Sequence, residues 1–255
     1  DGGAGAAGYG GLSRGRLDQL LVTRGLAESR SRARAAIEAG GVTVDGKPAR
    51  SPSQGVDDRA VVTYADAHRF VGRGALKLDH ALSLWPVAVE GRVVIDVGAS
   101  TGGFTQVCLE RGAAHVFAVD VGQGQLHLKL ADDPRVTNLE QTDARALSFD
   151  LIPQAPGLIV CDASFIGLAK VLPGALALAG AGADLVTLVK PQFEMAGRSD
   201  VGRGGVVRDT EAREAALARV RGWLEIEGWT VRETADSPIT GGDGNHEYLL
   251  WAVKR

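Results

Sequence analysis

The sequence is poor in cysteine and has no long uninterrupted apolar run. Its 255 residues include two cysteines, Cys108 and Cys161, and neither stands at the spacing of a metal-ligating pair. A disulfide scaffold and a metal site are therefore not expected, and a reducing compartment, the cytoplasm, is the simplest location. The longest apolar tract, 171–189, contains Pro173 and Asp184, so it predicts a helix followed by a strand rather than a membrane span.

The first thirteen residues lack the charged and apolar regions of a secretory signal. They are mostly glycine and alanine, and we expect residues 1–13 to form a disordered tail. The remaining length, with 45% hydrophobic residues overall, is sufficient for one or two packed domains. We expect no association with membranes and take the monomer as the default oligomeric state.

Two common phosphate-binding signatures are missing from the stretch VVIDVGASTGGF at 93–104. A dinucleotide fingerprint requires G-x-G-x-x-G, but Ala99 stands where the second glycine would be. A P-loop is also excluded, because no Lys-Ser or Lys-Thr pair follows the turn. What is present is an apolar strand, a glycine-rich turn and a predicted helix at 105–111. In α/β proteins this order forms a ligand crevice beyond the carboxyl ends of parallel strands.

Acidic residues stand at the ends of three successive predicted strands. Asp96 precedes the glycine turn, Asp120 ends the next strand, and Asp143 follows a predicted strand at 135–140. A carboxylate at the second position can accept both hydroxyls of a ribose, and one at the third can accept from an adenine amino group. Each acid alone is as typical of a helix cap. Together they favour an adenosine with a cationic tail, and S-adenosylmethionine is such a molecule.

Four further polar residues are candidates for catalysis. Lys77 lies on a predicted helix at 74–84, Asp162 and Lys190 each end an apolar strand, and Glu247 begins the final strand, EYLLWAV. For a single lysine such as Lys77 the commoner role is a solvated surface position. The ends of parallel strands nevertheless converge on one edge of a sheet, which is the edge already assigned to the cofactor. We therefore expect these four side chains to meet there.

Basic residues are concentrated near the N-terminus. Residues 14–59 carry nine basic and six acidic side chains, a balance of +3, whereas the rest of the chain carries 19 basic and 25 acidic ones, a balance of −6. This asymmetry favours an anionic partner for the N-terminal part, although charged helices are usually only solvated faces. Arg30 and Arg34 lie one helical turn apart, where they could span adjacent phosphates of an RNA helix.

The same N-terminal region has a recognisable pattern of elements. A first helix carries Leu17, Leu20 and Leu21, and a second begins after the N-cap Ser29 and ends at Gly40 and Gly41. The pair Asp45-Gly46 then predicts a tight hairpin. The patterns L-D-x-L-L and S-R-S-x-A-x-x-x-I-x-x-G-x-V-x-V-D-G-K-P closely resemble the S4 RNA-binding domain, over about 16–62.

The second part of the chain also resembles a known family. The motifs are D-V-G-A-S-T-G-G-F, R-G-A-x-K-L, D-x-S-F-I, L-V-K-P-Q-F-E and N-x-E-Y, and they resemble the FtsJ-like (RrmJ-like) 2′-O-ribose methyltransferases. Joined to an S4 domain, over residues 16–253, they are similar to the TlyA family of ribosomal RNA cytidine 2′-O-methyltransferases, once labelled haemolysins. The segment 197–209 also resembles a family loop, in which Arg203 could touch RNA, although a plain flexible loop is equally typical.

The resemblance implies a fold and a domain organisation. It implies an α/β protein with a Rossmann-like, S-adenosylmethionine-dependent methyltransferase sheet of seven strands, the last one antiparallel, at 73–255. It also implies a small α+β S4 domain at 14–63 and a linker at 64–72. The implied partners are S-adenosylmethionine and ribosomal RNA or ribosomal subunits, without a metal.

We expect three sets of site residues, and the resemblance implies the catalytic set and, within the cofactor set, Asp96, Gly98, Asp120 and Asp143. The catalytic set is Lys77, Asp162, Lys190 and Glu247. The cofactor set is Asp96, Gly98, Ser100, Thr101, Gly102, Gly103, Phe104, Asp120 and Asp143. The RNA-binding set is Arg16, Arg24, Arg30, Arg32, Arg34, Lys47 and Arg73.

Methyl transfer from a sulfonium to a hydroxyl is an in-line displacement, so its chemistry suggests roles for the catalytic set. Lys190 would be the general base or would stabilise the developing alkoxide, and Asp162 would orient it. Glu247 would steer Lys77 or the ribose.

Three other functions fit the sequence less well. An RNA base methyltransferase would carry an Asn-Pro-Pro-Tyr type motif after the fourth strand, where this chain has Asp162-Ala163-Ser164-Phe165. A membrane-lytic protein would need an amphipathic basic helix or a spanning segment, and neither is found in the sequence. A non-catalytic ribosome-assembly factor would not need the four catalytic candidates.

Overall fold

The computed structural model describes residues 14–195 and 205–255, and the chain divides into two compact units. One unit extends to Arg69 and the other begins at Phe70. The predicted tail at 1–13 lies outside the described residues, as does most of the predicted loop at 197–209, including Arg203.

The N-terminal unit contains two helices and five short strands in its described part. In chain order they are β1 (Arg14–Arg16), α1 (Leu17–Thr23), α2 (Arg30–Glu38), β2 (Val42–Val44), β3 (Lys47–Pro48), β4 (Gly55–Asp57) and β5 (Val62–Tyr64). Strand β1 pairs with β4, while β2 lies between β3 and β5, and all of these pairs are antiparallel. The leucines of α1 pack in its core with Ala33, Ala36 and Ile37 of α2. The predicted order of two helices and a hairpin is confirmed.

Local turn chemistry explains where these elements begin and end. The Ser29 side chain accepts a hydrogen bond from the Arg32 N–H, so it is the N-cap of α2. Asp45 and Gly46 both have positive φ, of 49° and 75°, as a tight two-residue hairpin turn requires. Tyr64, the first residue of the predicted linker, is the last residue of β5.

The C-terminal unit is larger and contains seven strands among its described residues. The strands are β6 (Val93–Val97), β7 (His115–Val119), β8 (Val136–Leu139), β9 (Leu158–Cys161), β10 (Asp184–Val189), β11 (Trp229–Asp236) and β12 (Tyr248–Lys254). The helices are α3 (Ala75–Leu84), α4 (Gly103–Glu110), α5 (Leu128–Ala131), α6 (Leu168–Val171), α7 (Pro173–Leu178), α8 (Pro191–Glu194) and α9 (Thr210–Ile226), with a 3₁₀ turn at Ala144–Ala146.

These strands form one sheet in the order β11-β12-β10-β9-β6-β7-β8. The pairs among β10, β9, β6, β7 and β8 are parallel, while β12 is antiparallel to both of its neighbours. The seven-stranded sheet with an antiparallel last strand is therefore confirmed. The order reverses at β6 and β9, and a ligand crevice is expected beyond the carboxyl ends of these strands.

The central strands of this sheet, β6, β7, β9 and β10, are buried on both faces, which explains why they are almost continuously apolar. Val94 of β6 packs with Leu78 of α3 and Val107 of α4 on one face. Ile95 of the same strand packs with Leu172 and Leu224 on the other face. The tract 171–189 forms a helix and then β10, as predicted. No helix within 14–195 and 205–255 is both long and apolar enough to cross a membrane.

Candidate active site

A cleft of about 470 Å³ lies at the carboxyl ends of β6, β7 and β9. Its walls are mainly apolar, and its volume is within the range of small-molecule sites. The lining residues include five of those predicted from the sequence: Gly98, Ser100, Asp120, Asp143 and Asp162. The crevice expected from the strand–turn–helix order is therefore where the predicted residues converge.

The glycine turn after β6 has a backbone that other residues cannot adopt easily. Gly98 has a φ of 81°, and a Cβ atom there would lie 3.0 Å from the backbone of Ala163. Gly102 has a φ of 97°, and a Cβ atom there would lie 2.3 Å from a methyl group of Leu130. The turn is thus packed closely between two neighbouring segments. Helix α4 starts directly after it, at Gly103, two residues earlier than the sequence predicted.

Asp120 stands at the end of β7, where the sequence predicted a ribose-binding carboxylate. Its two oxygens accept backbone N–H groups of Ser100, at 2.8 Å, and of Gly122, at 2.7 Å. The carboxylate is thereby fixed at the edge of the cleft. Because a carboxylate has about four acceptor positions, it can still accept hydrogen bonds from a ligand.

Asp143 also lines the cleft, but it has an intramolecular partner that the sequence did not predict. Arg145 binds its carboxylate through Nη2 at 2.5 Å, and this ion pair lowers the pKa of Asp143 to about 2. The Asp143 side chain also accepts from the Arg145 backbone N–H and so caps the 3₁₀ turn. Arg145 itself lines the cleft. Asp143 therefore caps the 3₁₀ turn, and its role in binding a cofactor stays a prediction.

Three other predicted cofactor residues, Asp96, Thr101 and Phe104, are not among the residues that line the cleft. Asp96 is completely buried, and its Oδ2 accepts from the Thr105 hydroxyl at 2.7 Å, while its Oδ1 has no hydrogen-bond partner among the described residues. Burial raises the pKa of Asp96 to about 7. Phe104 is buried in the core, and the Thr101 carbonyl accepts from the His127 N–H. These residues shape the turn rather than line the cleft.

The four catalytic candidates form one chain of alternating charge. Lys190 Nζ lies 2.7 Å from Asp162 Oδ1, and Lys77 Nζ lies 4.0 Å from Asp162 Oδ2. Lys77 Nζ is also 2.5 Å from Glu247 Oε2. Lys77, Lys190 and Glu247 are at most 7% exposed, whereas Asp162 is partly exposed and lines the cleft. The sequence prediction that these four side chains meet agrees with this geometry.

Two aromatic residues without a predicted role, Phe165 and Phe193, lie beside this group. Phe165 is 89% exposed, has a φ of 66° and packs against Phe193 at 5.4 Å between ring centroids. The residue before it, Ser164, accepts a hydrogen bond from Lys190 Nζ at 2.7 Å. An exposed large apolar side chain in a strained conformation is unusual, and such residues cluster at functional sites. Ser164 and Phe165 both belong to the D-x-S-F-I motif.

The turn that carries Glu247 is held by Asn245, another residue without a predicted role. Asn245 is 1% exposed, accepts from the Val207 N–H and donates to the Gly205 carbonyl and to Asp243. Arg73, predicted to bind RNA, donates to the Thr240 carbonyl at 2.7 Å. Glu247 itself lies one residue before β12 rather than within it.

The predicted RNA-binding residues of the N-terminal unit fall into two groups. Arg24 donates to the carbonyls of Ala60 and Asp58, and Arg32 binds Asp66 at 2.8 Å. These two side chains therefore hold the unit together. In particular, the contact of Arg32 with Asp66 ties the first part of the predicted linker to α2.

The other group is more accessible to a partner. Arg16 and Arg30 are about half exposed, and both bind the buried carboxylate of Asp18, whose pKa they lower to about 2. Arg34 and Lys47 are exposed, and within the described part of the chain neither side chain has a hydrogen bond or ion pair. Exposed guanidinium and ammonium groups of this kind are available to phosphates.

Metal ligands and reactive thiols are not found in this geometry. Within 14–195 and 205–255 no three His, Cys, Asp or Glu residues are placed to hold a metal ion. Both cysteines are buried and free, and burial raises the pKa of the Cys161 thiol to about 12.

Comparison with known families gives two matches that together cover most of the chain. Residues 70–254 match the FtsJ-like methyltransferases, and residues 15–62 match the S4 domain. The match boundaries agree with the division into two units at residues 69 and 70.

Individual relatives are similar over nearly their whole length. The 16S/23S rRNA (cytidine-2′-O)-methyltransferase TlyA of Mycobacterium tuberculosis is 49% identical, over 93% of this chain and 89% of that protein. Hemolysin A of Brachyspira hyodysenteriae is 37% identical, over 92% of this chain and 98% of that protein. A solved structure from Streptococcus thermophilus has a TM-score of 0.75 and 39% identity, over 95% of this chain and 89% of that one.

Proposed function

Because the chain belongs to the TlyA family of FtsJ-like methyltransferases, with an S4 domain at its N-terminus, we propose that it methylates the ribose 2′-hydroxyl of cytidine in ribosomal RNA. The methyl donor in this proposal is S-adenosylmethionine, and the RNA is bound in part by the S4 domain. Such an enzyme would work in the cytoplasm. The observation that carries the proposal is the four-residue chain of alternating charge beside the cleft.

The cleft has the chemistry that an adenosine with a cationic tail requires. Its apolar walls include Val97, Val119 and Ile166, which suit a flat base. Asp120 is fixed at the end of β7, where a carboxylate can accept ribose hydroxyls. The close approach of the Gly98 backbone to Ala163 leaves no room for a side chain at the turn. When bound, S-adenosylmethionine supplies an electrophilic methyl group on its sulfonium sulfur.

Lys190 is the residue best placed to act on the attacking hydroxyl. Its Nζ donates a hydrogen bond to the Ser164 hydroxyl and lies 2.7 Å from Asp162 Oδ1 as an ion pair. In the proposed reaction Lys190 first releases one proton to solvent, and its neutral amine then accepts the proton of the ribose hydroxyl. The resulting ammonium stabilises the negative charge that develops on the ribose oxygen. Asp162 then orients Lys190 on one side and balances Lys77 on the other.

Glu247 and Lys77 complete the arrangement as a buried ion pair. Glu247 is 3% exposed, so its carboxylate depends on Lys77 for charge compensation. This pair holds Lys77 near Asp162 and so keeps the two lysines on opposite sides of one carboxylate. In the proposed reaction it orients the polar groups around the ribose.

RNA recognition is proposed for two surfaces. Phe165 exposes its ring at the mouth of the cleft, and nucleic-acid bases stack on such rings. In the S4 unit, Arg16, Arg30, Arg34 and Lys47 are the accessible basic residues of the predicted set. They would contact phosphates, while the sequence of the target would be set by RNA shape.

The proposal is tested by incubating the protein with labelled S-adenosylmethionine and isolated ribosomal subunits. Ribose methylation is then mapped by reverse-transcription stops at low nucleotide concentration. We expect label on cytidine in at least one subunit and none with Lys190→Ala, which should still bind the cofactor. Lys170→Ala, at an exposed position away from the four residues, is the matched control and should behave as wild type.

Other outcomes of this experiment would identify the alternatives. Label on a base rather than on a ribose would indicate a base methyltransferase. RNA binding without label on either subunit would indicate a non-catalytic assembly factor. Lysis of erythrocytes by protein that labels neither subunit would support the membrane-active function that the older family label suggests.

A further inference from the structure

The loop between β7 and α5 forms one wall of the cleft, yet it has no regular secondary structure. This loop, residues 121–126, contributes Val121 and Gln125 to the lining. Its last residue, Leu126, is buried and lies against the glycine turn, because a Cβ atom on Gly102 would be 2.7 Å from a Leu126 methyl group. The loop therefore contacts both the cleft and the turn below it. Some interaction must keep it in place.

That interaction is supplied by one carboxylate at the end of the neighbouring strand. Three consecutive backbone N–H groups donate to Glu140: Gly124 at 2.8 Å, Gln125 at 2.7 Å and Leu126 at 2.9 Å. Successive N–H groups that converge in this way form a nest, a concavity that binds anions. Gly124 has a φ of 62°, the left-handed conformation that gives the nest its curvature. Here a side chain of the protein is the bound anion.

Two further hydrogen bonds join the residues that follow β8 to the residues around the start of loop 121–126. The Gln141 N–H donates to the Gly122 carbonyl at 2.9 Å, and the Thr142 N–H donates to the Asp120 carbonyl at 3.0 Å. The residues after β8 are thus bonded along the loop that begins at Asp120. The backbone N–H groups of the nest stabilise the charged form of Glu140 and lower its pKa. Glu140 is therefore an anion in the folded protein at neutral pH.

We propose that Glu140 is a positioning residue of the cofactor cleft, which sets the affinity for S-adenosylmethionine by holding loop 121–126 in its binding conformation. The inference rests on the proposed function. Glu140 does not line the cleft and lies apart from the four catalytic candidates, so it takes no part in methyl transfer. Without its carboxylate the loop would have to be ordered by the cofactor itself, and the cost of that ordering would appear as lost affinity.

The test compares Glu140→Gln with two further variants of the full chain. A glutamine keeps the shape of the side chain, but its single carbonyl oxygen can serve only part of the nest and its amide would face a backbone N–H. We expect Glu140→Gln to raise the dissociation constants of both S-adenosylmethionine and S-adenosylhomocysteine, measured by calorimetry, by roughly tenfold. The KM for S-adenosylmethionine should rise with them. The kcat at saturating S-adenosylmethionine should be unchanged.

The second variant leaves Glu140 in place. Gly124→Ala introduces a methyl group into open space, so its effect can come only from the positive φ that alanine disfavours. It should raise the same dissociation constants without lowering kcat. The third, Asp132→Asn, removes one negative charge at an exposed position next to α5 and serves as the matched charge control. It should bind both ligands as wild type does.

The results separate this inference from the proposed function. Failure of the wild-type protein to bind S-adenosylmethionine would overturn both. Binding by wild type with unchanged affinity in Glu140→Gln would overturn the positioning role alone, as would a fall in kcat at saturating S-adenosylmethionine. Equal losses in Glu140→Gln and Asp132→Asn would assign the effect to net charge and would also overturn it.

Discussion

The buried ion pair between Lys77 and Glu247 allows stability and catalysis to be separated by mutation. The two side chains are 6% and 3% exposed, and their charged atoms are 2.5 Å apart. Removing one member of such a pair leaves an uncompensated buried charge, at a cost of about 3–5 kcal/mol. Replacing both members by neutral side chains removes that penalty. The perturbation is therefore the set Lys77→Met, Glu247→Gln and the double variant.

The two single variants should differ in size because their remaining partners differ. In Lys77→Met, Glu247 loses the one cation that is paired with it in the described part of the chain. In Glu247→Gln, Lys77 keeps Asp162 at 4.0 Å. We expect Lys77→Met to cost the full 3–5 kcal/mol and to lower Tm by roughly 6–20 °C for a unit of this size. Glu247→Gln should cost about 1–3 kcal/mol.

The assays are thermal unfolding of the full chain and methylation of ribosomal subunits. The double variant should recover stability to within about 1–2 kcal/mol of wild type, so the double-mutant cycle should show a large coupling energy. It should nevertheless remain inactive, because neither charge is present to orient the polar groups. A double variant no more stable than Lys77→Met would refute the ion-pair argument. Methylation by the double variant at the wild-type rate would refute the catalytic role.

Three further predictions concern other parts of the molecule. Complete burial raises the pKa of Asp96 from 3.8 to about 7, so its neutral form is favoured in the fold, and stability should fall as pH rises from about 4 to about 7. Urea unfolding at pH 4 and pH 8 should show that Asp96→Asn removes this loss, which is at most about 4 kcal/mol. Phe165→Ala should lower turnover on RNA roughly tenfold or more through lost stacking. Its Tm should be unchanged because the ring is 89% exposed, and a lower Tm would argue for a packing role. Lys47→Ala should weaken RNA binding, measured by filter binding, and should reduce the slope of log K against log salt by about 0.7–0.9. Arg32→Ala should mainly destabilise the S4 unit, measured by unfolding, because the ion pair with Asp66 is lost. The reverse pattern in the two assays would contradict this division.

Much of the fold could be predicted from the sequence because it depends on local patterns. The strand before Gly98 is apolar except for Asp96, and the glycine turn after it requires positive φ values that few other residues adopt. Ser29 and the Asp45-Gly46 turn were predicted for the same reason, since capping and turn geometry depend on neighbouring residues. Asp120 and Asp162 could be placed at the same edge of the sheet, because the carboxyl ends of parallel strands lie together there.

Side-chain partners could not be predicted in this way. Asp143 was expected to be available to an adenine, but Arg145 is bound to it. Arg24 and Arg32 were expected to face RNA, yet they donate to groups 34 to 36 residues away in the chain. A basic residue on a helix has the same local signal whether it faces solvent or a carbonyl of its own domain. Its direction depends on which segment packs against that helix.

The sequence alone determined the two kinds of domain through their family motifs. It also determined the sheet and the edge where the cleft lies, because these depend on periodicity and on the glycine turn. The tertiary structure decided which charges compensate one another. Lys77 and Glu247 are separated by 170 positions, and only the packing of α3 beside the turn before β12 brings their atoms together. The same holds for Glu140, because a nest of backbone N–H groups exists only once the loop has folded around its anion.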